Sequence, residues 1–416
     1  MNYNEAMNFV NSYSKSGKAV TDLSRARELM KRIGNPEKQL KFVHVAGTNG
    51  KGSTVEYISN ALIYSGYKTG QFTSPFILHY ADRIRINGQE IDEKSLCEIA
   101  EKVKNSVADE EYSQFEITMA IALLWYAREK CDIVVLEAGI GGLLDCTNVI
   151  PPPVVAVITS ISLDHTAILG DSVEKIAAQK AGIIKENSAV ILSMGNSAEV
   201  CEIVRNTADK AKSRLIEISS DFEILPVEAD GQPFLYCGKK YKTAMFGKAQ
   251  PVNSVTAIEA CRYLRDKGFD ISEGNITKSI EASRIMGRCQ YISGQPPFIV
   301  DGGHNPDGIA NFAGVLSELK CHVYAVLGMV DTKAYENGAS TISHYAEKVF
   351  TVDDFIYNAV NAVQLAEIAE KSTAAEPCGS LETALDKAKA EALKNSGIVA
   401  VCGSLYLVSE FLNCEN

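Results

Sequence analysis

The stretch at 43–54, VHVAGTNGKGST, places three glycines, a lysine and two hydroxyl residues directly after an apolar run. Glycine lets successive backbone N–H groups converge on an anion, and Lys51 adds a fixed positive charge. Ser53 or Thr54 can offer a hydroxyl to Mg²⁺. Gly52 separates the lysine from these hydroxyls, so the spacing differs from that of the common P-loop. We predict a phosphate-binding turn, the alternative being an ordinary strand-to-helix turn with surplus glycine.

Three further polar residues stand where apolar runs end. Ser74, Glu137 and His165 each follow a run that predicts a buried strand. The carboxyl ends of parallel strands share one edge of a sheet, so we expect the three side chains to gather there. A hydroxyl and a carboxylate suit Mg²⁺, whereas imidazole is an uncommon ligand of that ion. The alternatives are that Glu137 caps a helix and that His165 only makes structural hydrogen bonds.

Two residues on predicted helices complete the set of candidate site residues. Lys180 lies near the end of a helix predicted over 171–184, where a lysine is usually solvated. Asn253 lies in the first turn of another predicted helix, and we expect it to face the phosphate-binding turn.

The elements that must position these residues alternate between strands and helices. A strand over 40–46 precedes the phosphate turn, and Val55, Ile58 and Leu62 mark one face of a helix that follows it. The turn therefore lies at a helix N-terminus, where the helix dipole favours an anion. This alternation predicts an α/β fold with a mostly parallel sheet. Together with the phosphate turn, it leads us to predict a P-loop-type ATPase as the first domain.

The later part of the chain predicts a second, smaller domain. Proline and glycine are dense before residue 298 and periodicity is lost, which is typical of a linker. We predict a first domain over 1–292, a linker over 293–297 and a Rossmann-like α/β domain over 298–416. In the motif DGGHNP, Asn305 is predicted to cap a helix, leaving Asp301 and His304 on the preceding loop.

Composition limits the class of protein. A chain of 416 residues favours two domains, and a net charge of −11 argues against a nucleic-acid partner. The sequence shows no membrane-spanning run, and its 11 cysteines include no C-x-x-C pair, which predicts reduced thiols. We expect a cytoplasmic monomer with small-molecule substrates. Phosphate and metal chemistry alone admits kinases, nucleotidases and ligases, and it does not name the acceptor.

A series of motifs narrows this choice. In chain order they are GTNGKGS at 47–53, TSP at 73–75, DRI at 82–84 with NG at 87–88, LEAGIGG at 136–142 with LDCTN at 144–148, LDH at 163–165, QKAGIIK at 179–185, DGGHNP at 301–306 and GSLY at 403–406. Together they resemble the folylpolyglutamate synthase/dihydrofolate synthase family, a branch of the Mur ligase superfamily, over nearly the whole chain.

The resemblance implies a reaction. ATP phosphorylates a carboxylate of folate or dihydropteroate, and the amine of L-glutamate attacks the acyl phosphate, releasing ADP and phosphate. It implies that Lys51, His165 and Lys180 are catalytic, and that two Mg²⁺ ions are bound by Ser74, Glu137, His165 and Lys180. Lys180 matches a lysine that is carbamylated in the family. The residues implied to bind nucleotide are Gly47, Thr48, Asn49, Gly50, Lys51, Gly52, Ser53, Thr54, Asn253, Arg288, Asp301 and His304.

At four positions the residue differs from the one that is usual in the family. These differences bear on which acceptor is used more than on whether ATP is used. The four residues are Phe76, Leu143, Ala249 and Met286. Phe76 and Leu143 border the expected acceptor pocket, so the preferred folate form, the tail length and the choice between one and two activities stay open. Two alternatives also stay open. One is a Mur-type ligase that joins an amino acid to a different carboxylate, and the other is a nucleotide-binding homologue without catalysis.

Overall fold

The computed structural model describes residues 1–14, 21–107, 112–228, 230–331 and 335–415. The chain forms two compact units. The first comprises 1–76, 80–221 and 252–283, and the second comprises 77–79, 222–251 and 284–416.

The first unit is built on an eight-stranded sheet. Its strands are β1 (Phe42–Ala46), β2 (Thr69–Phe72), β3 (Ile84–Ile86), β4 (Gln89–Glu90), β5 (Ile133–Glu137), β6 (Val155–Ile158), β7 (Ala189–Leu192) and β8 (Arg214–Glu217). Its helices are α1 (Tyr3–Asn11), α2 (Ser24–Arg32), α3 (Lys51–Tyr64), α4 (Glu93–Ser106), α5 (Gln114–Arg128), α6 (Thr166–Leu169), α7 (Val173–Ala181), α8 (Ala198–Lys210), α9 (Ala249–Asp266) and α10 (Glu273–Ala282), with α9 beginning in residues of the second unit.

The strand order in this sheet is β4-β3-β2-β5-β1-β6-β7-β8. The six strands from β2 to β8 along this order are parallel, while β3 runs antiparallel to β2 and β4 antiparallel to β3. Central strands β1, β5 and β6 are buried along their whole length, as expected for a parallel sheet covered on both faces. The phosphate turn follows β1, at the centre of the sheet.

Helix α3 follows the prediction from its periodicity. Val55, Ile58 and Leu62 are fully buried, and Gly66 adopts a left-handed φ of 87° just after the helix. The N-terminal residue of α3 is Lys51, so the helix begins within the phosphate turn. The helix that carries Lys180 is shorter than the predicted 171–184, because Ser172 caps its start and Gly182 ends it.

The second unit contains two sheets. Three antiparallel strands, β9 (Phe222–Ile224), β10 (Gln232–Tyr236) and β11 (Lys239–Thr243), form the smaller one. The larger has the order β12-β13-β17-β14-β15-β16 and contains β12 (Gln290–Ile292), β13 (Phe298–Asp301), β14 (Val323–Leu327), β15 (Lys348–Val352), β16 (Ala374–Gly379) and β17 (Ile398–Cys402). The helices are α11 (Pro306–Glu318), α12 (Tyr335–Ser343), α13 (Ala362–Ala369), α14 (Leu381–Lys394) and α15 (Leu405–Glu415).

The predicted α/β fold class is confirmed, with a large parallel-rich sheet and a second, smaller α/β domain. Residues 293–297, the predicted linker, connect the antiparallel pair β12 and β13 inside the second unit. The compact units interleave along the chain, and the domain limits at 292 and 298 stay a prediction. None of the helices in the described part of the chain is long and apolar enough to cross a membrane.

Candidate active site

The phosphate turn is held against the residues that follow β6. Thr48 N–H donates to the Ser160 carbonyl at 2.7 Å. Thr48 Oγ1 donates to the Ser162 carbonyl and accepts from Ser162 N–H, both at 3.1 Å. These reciprocal bonds connect the ends of two neighbouring strands, so the turn has a defined position before any ligand binds.

Two glycines of the turn are required by close packing. A Cβ atom on Gly47 would lie 1.7 Å from Thr159 Oγ1. Gly50 adopts a left-handed φ of +85°, and a Cβ atom there would lie 2.2 Å from Asn253 Oδ1. Asn253 is therefore packed against the phosphate turn, where the sequence predicts it.

We expect Gly50→Ala to destabilise the protein by about 1–3 kcal/mol, because alanine is strained at this φ and meets the Asn253 side chain. The turn would also lose its shape, so the KM for the ATP that the family resemblance implies should rise. Thermal unfolding and steady-state kinetics check both effects. Gly66→Ala is the matched control. Gly66 also has a positive φ, but apart from Gly66 and its two chain neighbours no described residue has an atom within 4 Å of the point that a Cβ would occupy. Stability should therefore fall while the KM for ATP is retained.

Lys51, Glu137 and Ser74 come together at the carboxyl ends of β1, β5 and β2. Lys51 Nζ donates to the carbonyls of Gly47 and Thr48 at 3.1 Å each, and it lies 4.0 Å from Glu137 Oε1. The other oxygen, Glu137 Oε2, accepts from Ser74 N–H at 3.2 Å. A buried carboxylate beside a lysine at the end of a central strand is an arrangement that can hold both a phosphate and a cation.

Lys180 reaches the same turn from α7. Its Nζ donates to the Gly47 carbonyl at 2.6 Å, so two ammonium groups share one acceptor. The residue is only 3% exposed, unlike the solvated lysine that is usual at such a helical position. Burial, and then the charge of Lys51, lower the pKa of Lys180 from 10.5 to about 7.

The two hydroxyl residues of the turn differ in access. Thr54 is fully buried, and its Oγ1 has no hydrogen-bond partner within the described chain. Ser53 is also largely buried, but its hydroxyl is not among the enclosed, unpartnered atoms. Of the two residues named for Mg²⁺, Ser53 is therefore the less enclosed, at 5% exposed against 0% for Thr54.

His165 follows β6, at the edge of the sheet that carries the phosphate turn. It adopts a left-handed φ of 47° and caps the short helix α6. Its backbone N–H donates to Asp164 Oδ1 at 2.8 Å, and its Nε2 lies 3.9 Å from Asp164 Oδ2. The side chain is 42% exposed, so the imidazole is accessible to a ligand.

The remaining candidates lie in the second unit. Asp301 ends β13 and is buried, and its carboxylate accepts from Cys289 N–H at 2.9 Å, Cys289 Sγ at 3.3 Å and Gly303 N–H at 2.7 Å. His304 is exposed, with Nδ1 3.2 Å from the Gly302 carbonyl, and Arg288 is half-buried. Asn305 caps α11 through Gly308 N–H, and Pro306 starts the helix as predicted.

The sequence assigned no role to Asn148, which holds α7 in place. Its Nδ2 donates to the carbonyls of Leu143 and Gly182 at 3.1 Å each. Leu143 N–H donates to the Gln179 carbonyl at 2.7 Å, and Lys185 Nζ donates to the Asn148 carbonyl at 2.8 Å. These bonds fasten the loop after β5 to the C-terminal turn of α7. The sequence feature that could have indicated this role is the glycine-rich run at 138–142, directly after the buried strand β5, which leads to the polar residues before Asn148.

Comparison with known families agrees with this geometry. The model of the Mur ligase middle domain matches residues 45–261, and that of the Mur ligase glutamate ligase domain matches residues 287–405. The first match covers the phosphate turn and every candidate site residue in the first unit. The chain is therefore a member of the Mur ligase family.

Individual relatives narrow the assignment. The Bacillus subtilis (strain 168) dihydrofolate synthase/folylpolyglutamate synthase is 32% identical over 429 residues, with 98% of each chain covered. A structure of Escherichia coli FolC in complex with DHPP and ADP has a TM-score of 0.86 at 28% identity and covers 99% of this chain and 97% of that one. An FPGS–AMPPCP–folate complex has a TM-score of 0.85 at 27% identity and covers 100% of both chains. Within the Mur ligases, this chain belongs to the folylpolyglutamate synthase/dihydrofolate synthase family.

Proposed function

We propose that the protein is an ATP-dependent ligase that joins L-glutamate to a carboxylate of folate or dihydropteroate through an acyl phosphate, giving ADP and phosphate. The observation that carries this proposal is the contact between the phosphate turn, Lys51 and Glu137 at the end of a buried strand. The family membership and the ADP, AMPPCP, folate and DHPP named in the relatives' structures support it.

The residues of the turn act by position and charge. Backbone N–H groups at the start of α3 and the Lys51 ammonium would hold the β- and γ-phosphates and neutralise them, so that an anionic carboxylate can approach. The amine of glutamate then needs proximity more than activation. Gly47, Thr48, Asn49, Gly50, Gly52, Ser53, Thr54 and Asn253 are proposed to form the phosphate site. For Arg288, Asp301 and His304, a nucleotide-binding role stays a proposal that rests on the family resemblance.

The residues present fit a magnesium ion that also takes phosphate oxygens. No group of three or more His, Cys, Asp or Glu side chains among the described residues is arranged to hold a metal by itself. Mg²⁺ in nucleotide sites keeps waters and uses one or two carboxylates besides phosphate, so such a group is not required. Glu137 and Ser74 would hold a first ion, and His165 and a carbamylated Lys180 a second. Bound Mg²⁺ would supply charge neutralisation at the transferred phosphoryl group.

Carbamylation of Lys180 predicts a pH dependence with a defined sign. Only the neutral amine reacts with CO₂, and with its pKa lowered to about 7 the amine loses its proton as pH rises through that value. The carbamate should therefore increase between about pH 6 and pH 8, where an ordinary lysine stays protonated. We expect a ¹³C NMR carbamate signal in ¹³C-bicarbonate that Lys180→Met abolishes and the control Lys185→Met keeps. Absence of the signal at every pH would contradict the proposal.

The function itself is tested by ADP release in a coupled assay. We expect turnover that requires both L-glutamate and either dihydropteroate or tetrahydrofolate. Turnover indifferent to both acceptors, but present with another carboxylate, would favour the other Mur-type ligase. Phe76 is 41% and Leu143 is 44% exposed, so both side chains are accessible to a ligand, which is compatible with the proposed effect on acceptor choice. ATP binding without any turnover would favour the non-catalytic homologue.

The remaining proposals concern the oligomeric state, the cellular location, the partners and the domain limits. We propose a monomeric, cytoplasmic protein whose substrates are small molecules, without a nucleic-acid or membrane partner, and with domains over 1–292 and 298–416. All 11 cysteines are free thiols, and Cys131 and Cys261 lie in the core. This supports a reducing compartment.

A further inference from the structure

Arg83 lies at the same sheet edge as the phosphate turn. It ends a 3-10 turn, Tyr80–Arg83, that leads into β3. Because β3 runs antiparallel to β2, its first residue pairs with the last residue of β2, Ile84 with Phe72. Thr73 N–H donates to the Arg83 carbonyl at 3.0 Å. Arg83 is thereby fixed beside the strand end that carries Ser74.

The guanidinium of Arg83 is buried, and no described residue serves as its hydrogen-bond acceptor. The residue is 6% exposed, and its Cζ lies 5.8 Å from the ring centre of Phe72 and 5.5 Å from that of Phe115. No hydrogen bond or ion pair joins the guanidinium to any residue in the described ranges, and Nε is enclosed without a partner. Burying a charge in this way is costly unless a partner arrives, and ring faces do not satisfy the N–H groups at the edge of the guanidinium.

Nearby acidic groups do not remove this requirement. Asp82 and Glu137 act on Arg83 only through space, and burial outweighs them, so the pKa of Arg83 is lowered from its usual value. Glu137 already faces Lys51 and Ser74 N–H. The guanidinium therefore has donors available for an anion that is not part of the described chain.

The position of Arg83 indicates which anion this is. Along the sheet edge, the phosphate turn follows β1, Glu137 ends β5, Ser74 follows β2 and Arg83 precedes β3. Neighbouring strands are about 4.8 Å apart, so Arg83 lies across Glu137 and Ser74 from the phosphate turn. The Phe115 ring packs at Gly139, where a Cβ atom would lie 2.6 Å from Phe115 Cε1. The Phe115 ring therefore lies both against the Arg83 guanidinium and beside the loop that follows Glu137.

We propose that Arg83 is an acceptor-binding residue that holds a carboxylate of the acceptor through its guanidinium. This inference rests on the proposed ligase function, in which an anionic carboxylate must lie beside the γ-phosphate. The planar guanidinium matches a carboxylate in two-point geometry, which a lysine does not. Lys51 and Lys180 serve the phosphate side of the site, and Arg83 serves the acceptor side.

The test replaces Arg83 with methionine, which keeps the length and apolar packing. We expect the KM for dihydropteroate to rise by at least about 30-fold, because a charge-assisted bond is lost, while the KM for ATP stays within about threefold. The melting temperature should stay equal or rise, since an unpaired buried charge is removed. A purely structural role for the stacked guanidinium predicts the opposite pattern, a lower melting temperature with an unchanged KM.

Arg85→Met is the matched control. Arg85 lies on β3 and faces the Glu56 carboxylate at 3.8 Å, so its loss should lower stability without changing the KM for dihydropteroate. Arg83→Lys keeps the charge but not the two-point geometry, and we expect an intermediate KM.

A ligand pair gives a measurement on the wild-type protein that does not depend on how the variants fold, and the same pair is then measured on Arg83→Met. The wild-type protein should bind pteroic acid at least about tenfold more tightly than its carboxamide, and Arg83→Met should bind both equally. An unchanged KM for dihydropteroate in an active Arg83→Met, or no preference for the acid in the wild type, overturns the role of Arg83 alone. A wild-type protein that turns over neither dihydropteroate nor folate overturns the proposed function with it.

Discussion

Lys51→Met is expected to lower kcat by about 10³-fold, the largest effect of any single change in the first unit. Lys51 is the cation at the start of α3, and its Nζ lies 4.0 Å from Glu137 and 3.1 Å from two carbonyls of the phosphate turn. Lys180 cannot replace it at that position, because Lys180 approaches the turn from α7. Stopped-time ADP release under saturating substrates measures the loss.

The same variant should change Lys180. The Lys51 charge is the second cause, after burial, of the lowered pKa of Lys180. Its removal should raise that pKa above about 7, so carbamate formation would shift to higher pH. Lys68→Met is the control, since Lys68 pairs with Glu129 at 3.0 Å outside the site and should leave kcat unchanged. A loss of less than about tenfold in Lys51→Met would contradict the assigned role.

Glu137→Gln is expected to reduce kcat by about 10²- to 10³-fold and to raise the Mg²⁺ concentration for half-maximal activity by at least about tenfold. Glutamine keeps the shape and can still accept from Ser74 N–H, so the change isolates the charge. A magnesium titration at fixed ATP measures both quantities.

Glu56→Gln provides the comparison for the magnesium titration. Glu56 also carries a mostly buried carboxylate in the first unit, where it accepts from Gln71 at 2.7 Å and faces Arg85. This variant should lose stability and keep its magnesium dependence. If Glu137→Gln shows the wild-type magnesium dependence, the carboxylate does not hold the ion, and a role in positioning Ser74 would remain.

Local sequence determined the parts of the site that are made by neighbouring residues. The glycine-rich turn after β1, a helix directly after it and the cap at Asn305 are confirmed, because turns and caps depend on backbone conformation within a few residues. The order of motifs also determined the family, and the periodicity of strands and helices determined the α/β class. These properties do not require knowledge of which distant elements touch.

Only the tertiary structure decided how individual side chains are paired and buried. A lysine near the end of a helix is usually solvated, but packing of α7 against the phosphate turn places Lys180 on the Gly47 carbonyl. Asn148 gained its role because two elements far apart in the chain meet at its amide. In the sequence, Arg83 is only a charged residue that directly precedes a short strand. The aromatic rings that enclose it in the structure come from β2 and α5. Burial and pairing depend on contacts between distant elements, and a sequence pattern read locally does not contain them.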